Sequence, residues 1–271
     1  MPTYLGIEGG GTTWKVAIAQ GKPDNIVESI RFDTTTPDET FGKIKEWIKD
    51  KTYDSIGIAT FGPLDPKLSS PTYGHITSTP KPGWKNVDVV GALTDGSKPV
   101  LFDTDVNAPA LAEYTYHRSS PTQTSVAYIT VGTGVGVGLV INGKTVHGLV
   151  HPEGGHVAPF RLPADGLKGV LNRTILYPKI RAKTLEILKG YIVHPLLTPA
   201  HIHDYITPSE WGDNAGIVGA LTLAQVALEE RGRANLAYKI WQWVDTNKGG
   251  LVTGVVAGAA AAAVAVMGRR K

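Results

Sequence analysis

Short apolar runs separated by glycine turns dominate the first half of the chain. Residues 4–7 and 13–19 flank the glycines of IEGGGT, which reads as strand–turn–strand. Residues 55–59 and 99–102 are two further strand-like runs, each ending at a polar or glycine-bearing loop. Between them, residues 40–49 and 109–116 carry helical spacing. The strand–turn pattern then recurs. Ser125–Val131 leads into GTGVGVG (132–138), an apolar run at 139–141, the turn Asn142-Gly143 and a second short run at 144–146. Asn-Gly between apolar residues is a strong hairpin signal. Residues 228–248 read as helical and carry Trp241 and Trp243.

Two glycine-turn hairpins far apart in one chain suggest two related lobes. In both, glycines let backbone N–H groups close on an anion, because no Cβ stands in the way. Paired phosphate loops facing a cleft are what a sugar kinase of actin-like architecture needs. Other phosphate motifs fit poorly. GTGVGVG lacks the Lys-Ser/Thr of a P-loop, and Val137 and Leu139 fill the third-glycine position of the two Rossmann registers. A tight glycine hairpin with no ligand explains either loop equally well when it is taken alone.

At 271 residues the chain holds one large or two modest domains, and 42% hydrophobic with 19% charged residues is ordinary globular composition. The 27 Lys and Arg against 24 Asp and Glu are scattered, which gives no case for a nucleic-acid partner. Cysteine is absent, excluding disulfides and thiolate metal sites and fitting a reducing compartment. The opening MPTYLGIEGG turns polar too early for a signal peptide, so a cytoplasmic location is expected. Residues 249–268, GGLVTGVVAGAAAAAVAVMG, lack charge and precede Arg269-Arg270-Lys271. That stretch is long enough to cross a bilayer as a tail anchor; its alanines and glycines fit a weakly hydrophobic tail instead.

Two segments carry candidate chemistry. FDTDVNAPALAEY (102–114) sets acids at the end of a strand and before a helix, where open sheets bind ligands. Asp103 or Asp105 is placed to take a proton from an alcohol and Asn107 to bond a hydroxyl, while helix capping explains the same residues. LVHPEGGHVAPF (149–160) offers His151, Glu153 and His156 to a metal, without HExxH spacing or a cysteine. Asp105, Asn107, Glu153 and His156 also form an inventory for sugar hydroxyls, and a polar surface loop accounts for the segment as well.

GIEGGGTT, GIATFGPLD, TYGHITSTPKPGW, FDTDVNAPALAE, YITVGTGVGVG and GLVHPEGGH, in that order, resemble the ROK family of sugar kinases over residues 4–165. The TYGHITSTPKPGW segment (72–84) tilts the resemblance to its fructokinase branch. The resemblance implies an α/β, actin-like (ribonuclease-H-like), two-lobed fold. It further implies ATP-dependent phosphate transfer to the 6-hydroxyl of a hexose, fructose foremost, with Mg²⁺ accompanying ATP, and a homodimer. Asp105 resembles the general base. Asn107, Glu153 and His156 resemble the sugar-binding set. Gly9, Gly10, Gly11 and Thr12 resemble one ATP-phosphate loop, and Gly132, Thr133, Gly134 and Gly136 the other. Gly11-Thr12-Thr13 departs slightly from the family's Gly-Gly-Thr-Lys, with Lys15 displaced.

A larger departure follows. In the family a zinc loop comes after the Glu-Gly-His motif, and His156 would share the metal with its cysteines. Here RLPADGLKGVLNRTILYPKIR (161–181) begins like that loop, then from about Gly169 resembles a segment much further downstream. DYITPSEWGDNAGIVGALTLAQ (204–225) resembles the family's ending. An internal piece is therefore expected to be missing near residues 166–169, which makes His156 a vestigial zinc ligand and the zinc lost. The expected division is a first lobe at 1–107, an incomplete second lobe at 108–228 and an extension at 229–271. Losing part of a lobe strands apolar surface: each buried aliphatic side chain is worth about 1.5–3 kcal/mol against exposure, and whole-domain stability is only about 5–15 kcal/mol. Two function classes follow, a fructokinase-type enzyme and a non-catalytic sugar-binding or interaction protein derived from one.

Overall fold

The computed structural model describes residues 1–117, 122–131, 134–148, 151–155 and 176–246. The hairpin read around the first glycines forms as β1 (Thr3–Gly9) and β2 (Thr13–Gln20), continued by β3 (Ile26–Asp33). Helix α1 (Pro37–Ile48) follows, because Thr36 caps it by accepting from the Glu39 N–H, and Pro37 opens its first turn. Phe41, Ile44 and Ile48 recur on its inward face and are buried. Then come β4 (Ser55–Thr60), the short strands β5 (His75–Ile76) and β6 (Val87–Asp88), α2 (Val89–Leu93), β7 (Val100–Thr104) and α3 (Asn107–Tyr116). The first sheet has the order β3-β2-β1-β4-β7, with β1, β4 and β7 parallel.

The second hairpin forms as β8 (Ser125–Val131) and β9 (Val135–Ile141), and the Asn142-Gly143 turn leads to β10 (Lys144–Thr145). Both turn residues have positive φ, +52° and +74°, as a two-residue hairpin requires. This sheet has the order β10-β9-β8 and stops there among the described residues. Its outer residues are left open: Ile129 is 61% and Ile141 51% exposed. Beyond it, α4 (Leu176–Leu188) meets the turn after α5 (Ile202–Tyr205) through Arg181, which donates two hydrogen bonds to the Ile206 carbonyl. Helix α6 spans Ala215–Thr246, starting well before the helical run read at 228–248. The junction near 166–169 and the uncharged stretch 249–268 lie outside the described residues. Among those described, no helix is long and apolar enough to cross a membrane.

The first sheet has a large-residue face and a small-residue face. Leu5, Ile7, Trp14, Val16, Ile56 and Ile58 share a core with α1 and α2, where Trp14 stacks on Trp84 at 5.4 Å. The opposite face shows Ala17, Ala19, Ala59, Gly6 and Gly57 to α6 and α3. That asymmetry lets α6 approach the sheet at backbone distance. A Cβ on Gly57 would lie 1.8 Å from the Ala220 carbonyl oxygen. Gly57→Ala should therefore cost more than the ~1–3 kcal/mol of ordinary overpacking. Gly42→Ala, on the exposed face of α1 with open space around it, should stabilise by about 0.5–1 kcal/mol. Denaturant unfolding of the two variants checks the pair, and equal effects would contradict the close approach.

Candidate active site

The C-terminal ends of β1, β4 and β7 lie side by side, held by the Phe61 N–H to the Gly9 carbonyl (2.8 Å) and the Asp105 N–H to the Thr60 carbonyl (2.9 Å). Loops at such strand ends border a ligand crevice in open α/β sheets. A cavity of about 460 Å³ opens there, of a size suited to a small molecule. The first lobe contributes Phe61–Pro63, Ser78, Pro80 and Thr104–Asn107; the second contributes Gly136 and Val137 of β9, His151, Glu153 and Gly155. The HPEGG loop reaches the cavity because its glycines lie on β9. A Cβ on Gly155 would stand 1.7 Å from the Val135 carbonyl oxygen.

The β7–α3 turn separates the two aspartates that the sequence left as alternatives. Neither acid caps α3: its N-cap position is Val106, and the Asn107 N–H donates instead to Thr104 Oγ1 at 2.9 Å. Asp103 is 3% exposed and fully engaged. Its Oδ1 accepts from the Thr104 N–H (2.7 Å) and Asn107 Nδ2 (3.0 Å), and its Oδ2 pairs with His147 Nε2 (2.8 Å). Burial opposes protonation of that imidazole, but the hydrogen bond and charge of Asp103 outweigh it and raise the His147 pKa. Asn107 lines the cavity with its amide already committed: Nδ2 also donates to the Val146 carbonyl, and Oδ1 accepts from the Leu139 N–H. The network ties β7 and α3 to β9 and to Val146 and His147 just after β10.

Asp105, by contrast, faces the cavity beside other acids. Burial, then the charge of Glu8, then that of Glu153 push its carboxyl up to about 7, with its own backbone N–H opposing them. A carboxylate poised near neutrality in a cleft is suited to general-base work. Glu8 itself is raised by burial, partly offset by Lys15 and Arg31, and lies against Gly216 at the start of α6. His151 connects the lobes, accepting from the Leu64 N–H at 3.2 Å and standing 3.4 Å from Glu153. Glu153 has φ +47°, a conformation that favours glycine.

Asp105, Asn107, Glu153 and Gly136 are thus brought together around one cavity. Gly9, Gly10, Gly11 and Thr12 sit at the adjoining end of β1, outside that lining, with the Gly11 carbonyl accepting from Lys81 Nζ at 2.7 Å. Gly134 has open space around its α-carbon. Gly132, Thr133 and His156 lie outside the described residues. Among the described residues no group of three His, Asp or Glu side chains is placed to hold a metal ion. Sequence reading missed His147 and Glu8. An acid inside the apolar run of β1, next to a glycine loop, was the available signal for Glu8; His147 had none, since its partner lies 44 positions away.

A parallel-ended sheet, a second hairpin sheet and a carboxylate-floored cleft between them define an actin-like, two-lobed fold. The chain belongs to the ROK family, whose profile matches residues 4–166. It is 48% identical over 169 residues to a fructokinase from Zymomonas mobilis, a match covering 60% of this chain and 56% of that protein. This chain therefore spans only about half the length of that relative in one continuous match. A fructokinase from Pediococcus pentosaceus is 31% identical over 288 positions, covering 82% of this chain and 98% of that one. Since 82% of 271 residues is about 222, about 65 of those positions face no residue here. In fold the chain is similar to a ROK family glucokinase from Streptomyces griseus in complex with glucose and AMPPNP, with TM-score 0.55, 18% identity, and 83% and 99% of the two chains covered.

Replacing Asp105 tests its environment without any substrate. Between the ordinary value of 3.8 and about 7, the folded chain holds a proton that the unfolded chain has released. The carboxyl's contribution to stability is therefore full below 3.8 and is lost as pH rises towards about 7. Asp105→Asn should be more stable than the parent at about pH 8, by on the order of a few kcal/mol, with the gap shrinking towards about pH 5. Thermal melts across that range check it, and a pH-independent difference would count against the assignment.

Proposed function

We propose that this chain is a hexose kinase of the fructokinase type, transferring the γ-phosphoryl group of ATP to the 6-hydroxyl of fructose. The observation that carries the reading is Asp105, a carboxylate raised to about 7 at the floor of a cleft between two actin-like lobes. The sugar oxygen attacks the γ-phosphorus, the bond to the β-phosphate oxygen breaks, and the hydroxyl proton passes to Asp105 as ADP leaves. Catalysis of this kind is mostly positioning and charge stabilisation. Glu153 and His156 hold sugar hydroxyls, and Asn107 anchors the turn that aims Asp105. Gly9–Thr12 and the Gly132–Gly136 loop receive the ATP phosphates through backbone N–H groups. Mg²⁺ bound to the nucleotide would supply the charge that neutralises its phosphates. The names of the matched relatives, fructokinases in two bacteria, support the choice of fructose.

One observation favours a second reading. The second sheet ends at β8 among the described residues, and about 65 positions of a relative have no counterpart. A chain that keeps the sugar cleft but lost nucleotide contacts would be a sugar-binding protein without turnover. Coupled-assay turnover with ATP and fructose decides between the two. The kinase reading expects turnover that rises with pH through about 7 and falls by about 10²–10⁴ in Asp105→Asn. No turnover, with calorimetry showing hexose binding but no ATP binding, would establish the second reading. Turnover unchanged in Asp105→Asn would overturn the mechanism.

A further inference from the structure

Two side-chain contacts pin the segment after β10 to the first lobe. His147, just past the end of β10, meets Asp103 Oδ2 through Nε2 at 2.8 Å. Further on, His151 accepts from the Leu64 N–H at 3.2 Å. His151 and Glu153 line the cavity from this side and Thr104 and Asp105 from the other, while His147 and Asp103 lie outside that lining. The His147–Asp103 bond therefore joins the strand that leads to Asp105 with the segment that leads to the HPEGG loop, without touching what the cavity holds. The hairpin gives that segment little direction of its own. Strand β10 pairs with β9 only at Lys144↔Ile141 and Thr145↔Val140, and the Val146 N–H adds one bond to the Leu139 carbonyl. Beyond so short a strand, the contact with Asp103 sets where the chain goes.

We propose that His147 is a positioning residue for the cleft, whose hold on Asp103 sets the HPEGG loop against the turn that carries Asp105. Its kinetic consequence rests on the kinase reading; its effect on sugar binding does not. The Asp103 side chain is 4% exposed, so its charge has to be met inside the protein, and a protonated imidazole meets it with a charged hydrogen bond. Burial opposes a proton on the ring, the hydrogen bond and charge of Asp103 from β7 outweigh it, and Lys67 from the loop after β4 is the other charge that faces it. Below the ordinary 6.5 the charged bond is at full strength. It weakens as pH rises through the raised value, where the neutral ring keeps at most an uncharged donor. Catalysis then needs Asp105 ionised and His147 protonated together, which turns a single rise with pH into a bell.

Calorimetry of fructose binding to the full chain, from about pH 6 to about pH 9, tests the role beside ¹⁵N NMR of the His147 ring. Affinity should fall at least about fivefold as the ring loses its proton, and fructose should shift the ring's midpoint upward by the matching amount, because such coupling is reciprocal. His147→Gln, which identifies the ring resonance by its loss, should weaken fructose binding by at least about fivefold at neutral pH and erase that pH dependence. ATP binding should stay as in the parent. In turnover, the same substitution should remove the fall at high pH and raise KM for fructose but not for ATP. Fructose binding that tracks the ring in a chain without turnover supports the positioning role and removes the kinase reading. A ring midpoint indifferent to fructose, or fructose binding unchanged in His147→Gln, overturns the role and leaves the kinase reading standing. Absence of fructose binding overturns both.

Discussion

A carboxylate taken out of water must be satisfied, and the geometry of this site follows from how the Asp103 carboxylate is satisfied. Its two oxygens draw in the Thr104 N–H, the Asn107 amide and the His147 ring. Asn107 passes the constraint on by accepting from Leu139 on β9. One buried acid thereby fixes the turn after β7, the start of α3 and β9, the central strand of the second sheet. Asp105, two residues on, is the group that this network does not neutralise. Its partners are other acids, and its basicity follows.

The same turn depends on the first sheet being thin on one side. Large residues face α1 and α2, while alanines and glycines face α6. A helix that sits at backbone distance from β4 stays close to the loops leaving the strand ends. The start of α6 meets Glu8 of β1 there, so the helix bears on the electrostatics of the cleft as well as on the core. Among the described residues the second sheet is covered by α3 on the face that buries Val140, and its other face is open. The sheet keeps the hairpin that supplies Gly136 and Val137 to the cavity and ends at β8 among the described residues.

Local features were legible in the sequence. The first glycine hairpin, the Asn142-Gly143 turn and the spacing of α1 depend on neighbouring residues and formed where the pattern placed them, while β9 begins at Val135, inside the glycine run at 132–138 and not after it. Asp105 and Glu153 were legible as a pair once the motifs were read in order. What stayed hidden depends on distant partners. Asp103 and Asp105 look equivalent in FDTDVN, and only His147, far along the chain, separates them. Helix α6 was read too short because its first half is selected by Gly57 and Gly6 on other strands.

The central claim is that Asp105 is an uncompensated carboxyl at the floor of a sugar cleft. Carboxyl ¹³C NMR of the labelled chain, with the Asp105 resonance assigned by its loss in Asp105→Asn, tests this directly. The account predicts a titration midpoint near the value of about 7, shifting when fructose is added. A midpoint at the ordinary 3.8, or one untouched by any hexose, would contradict it.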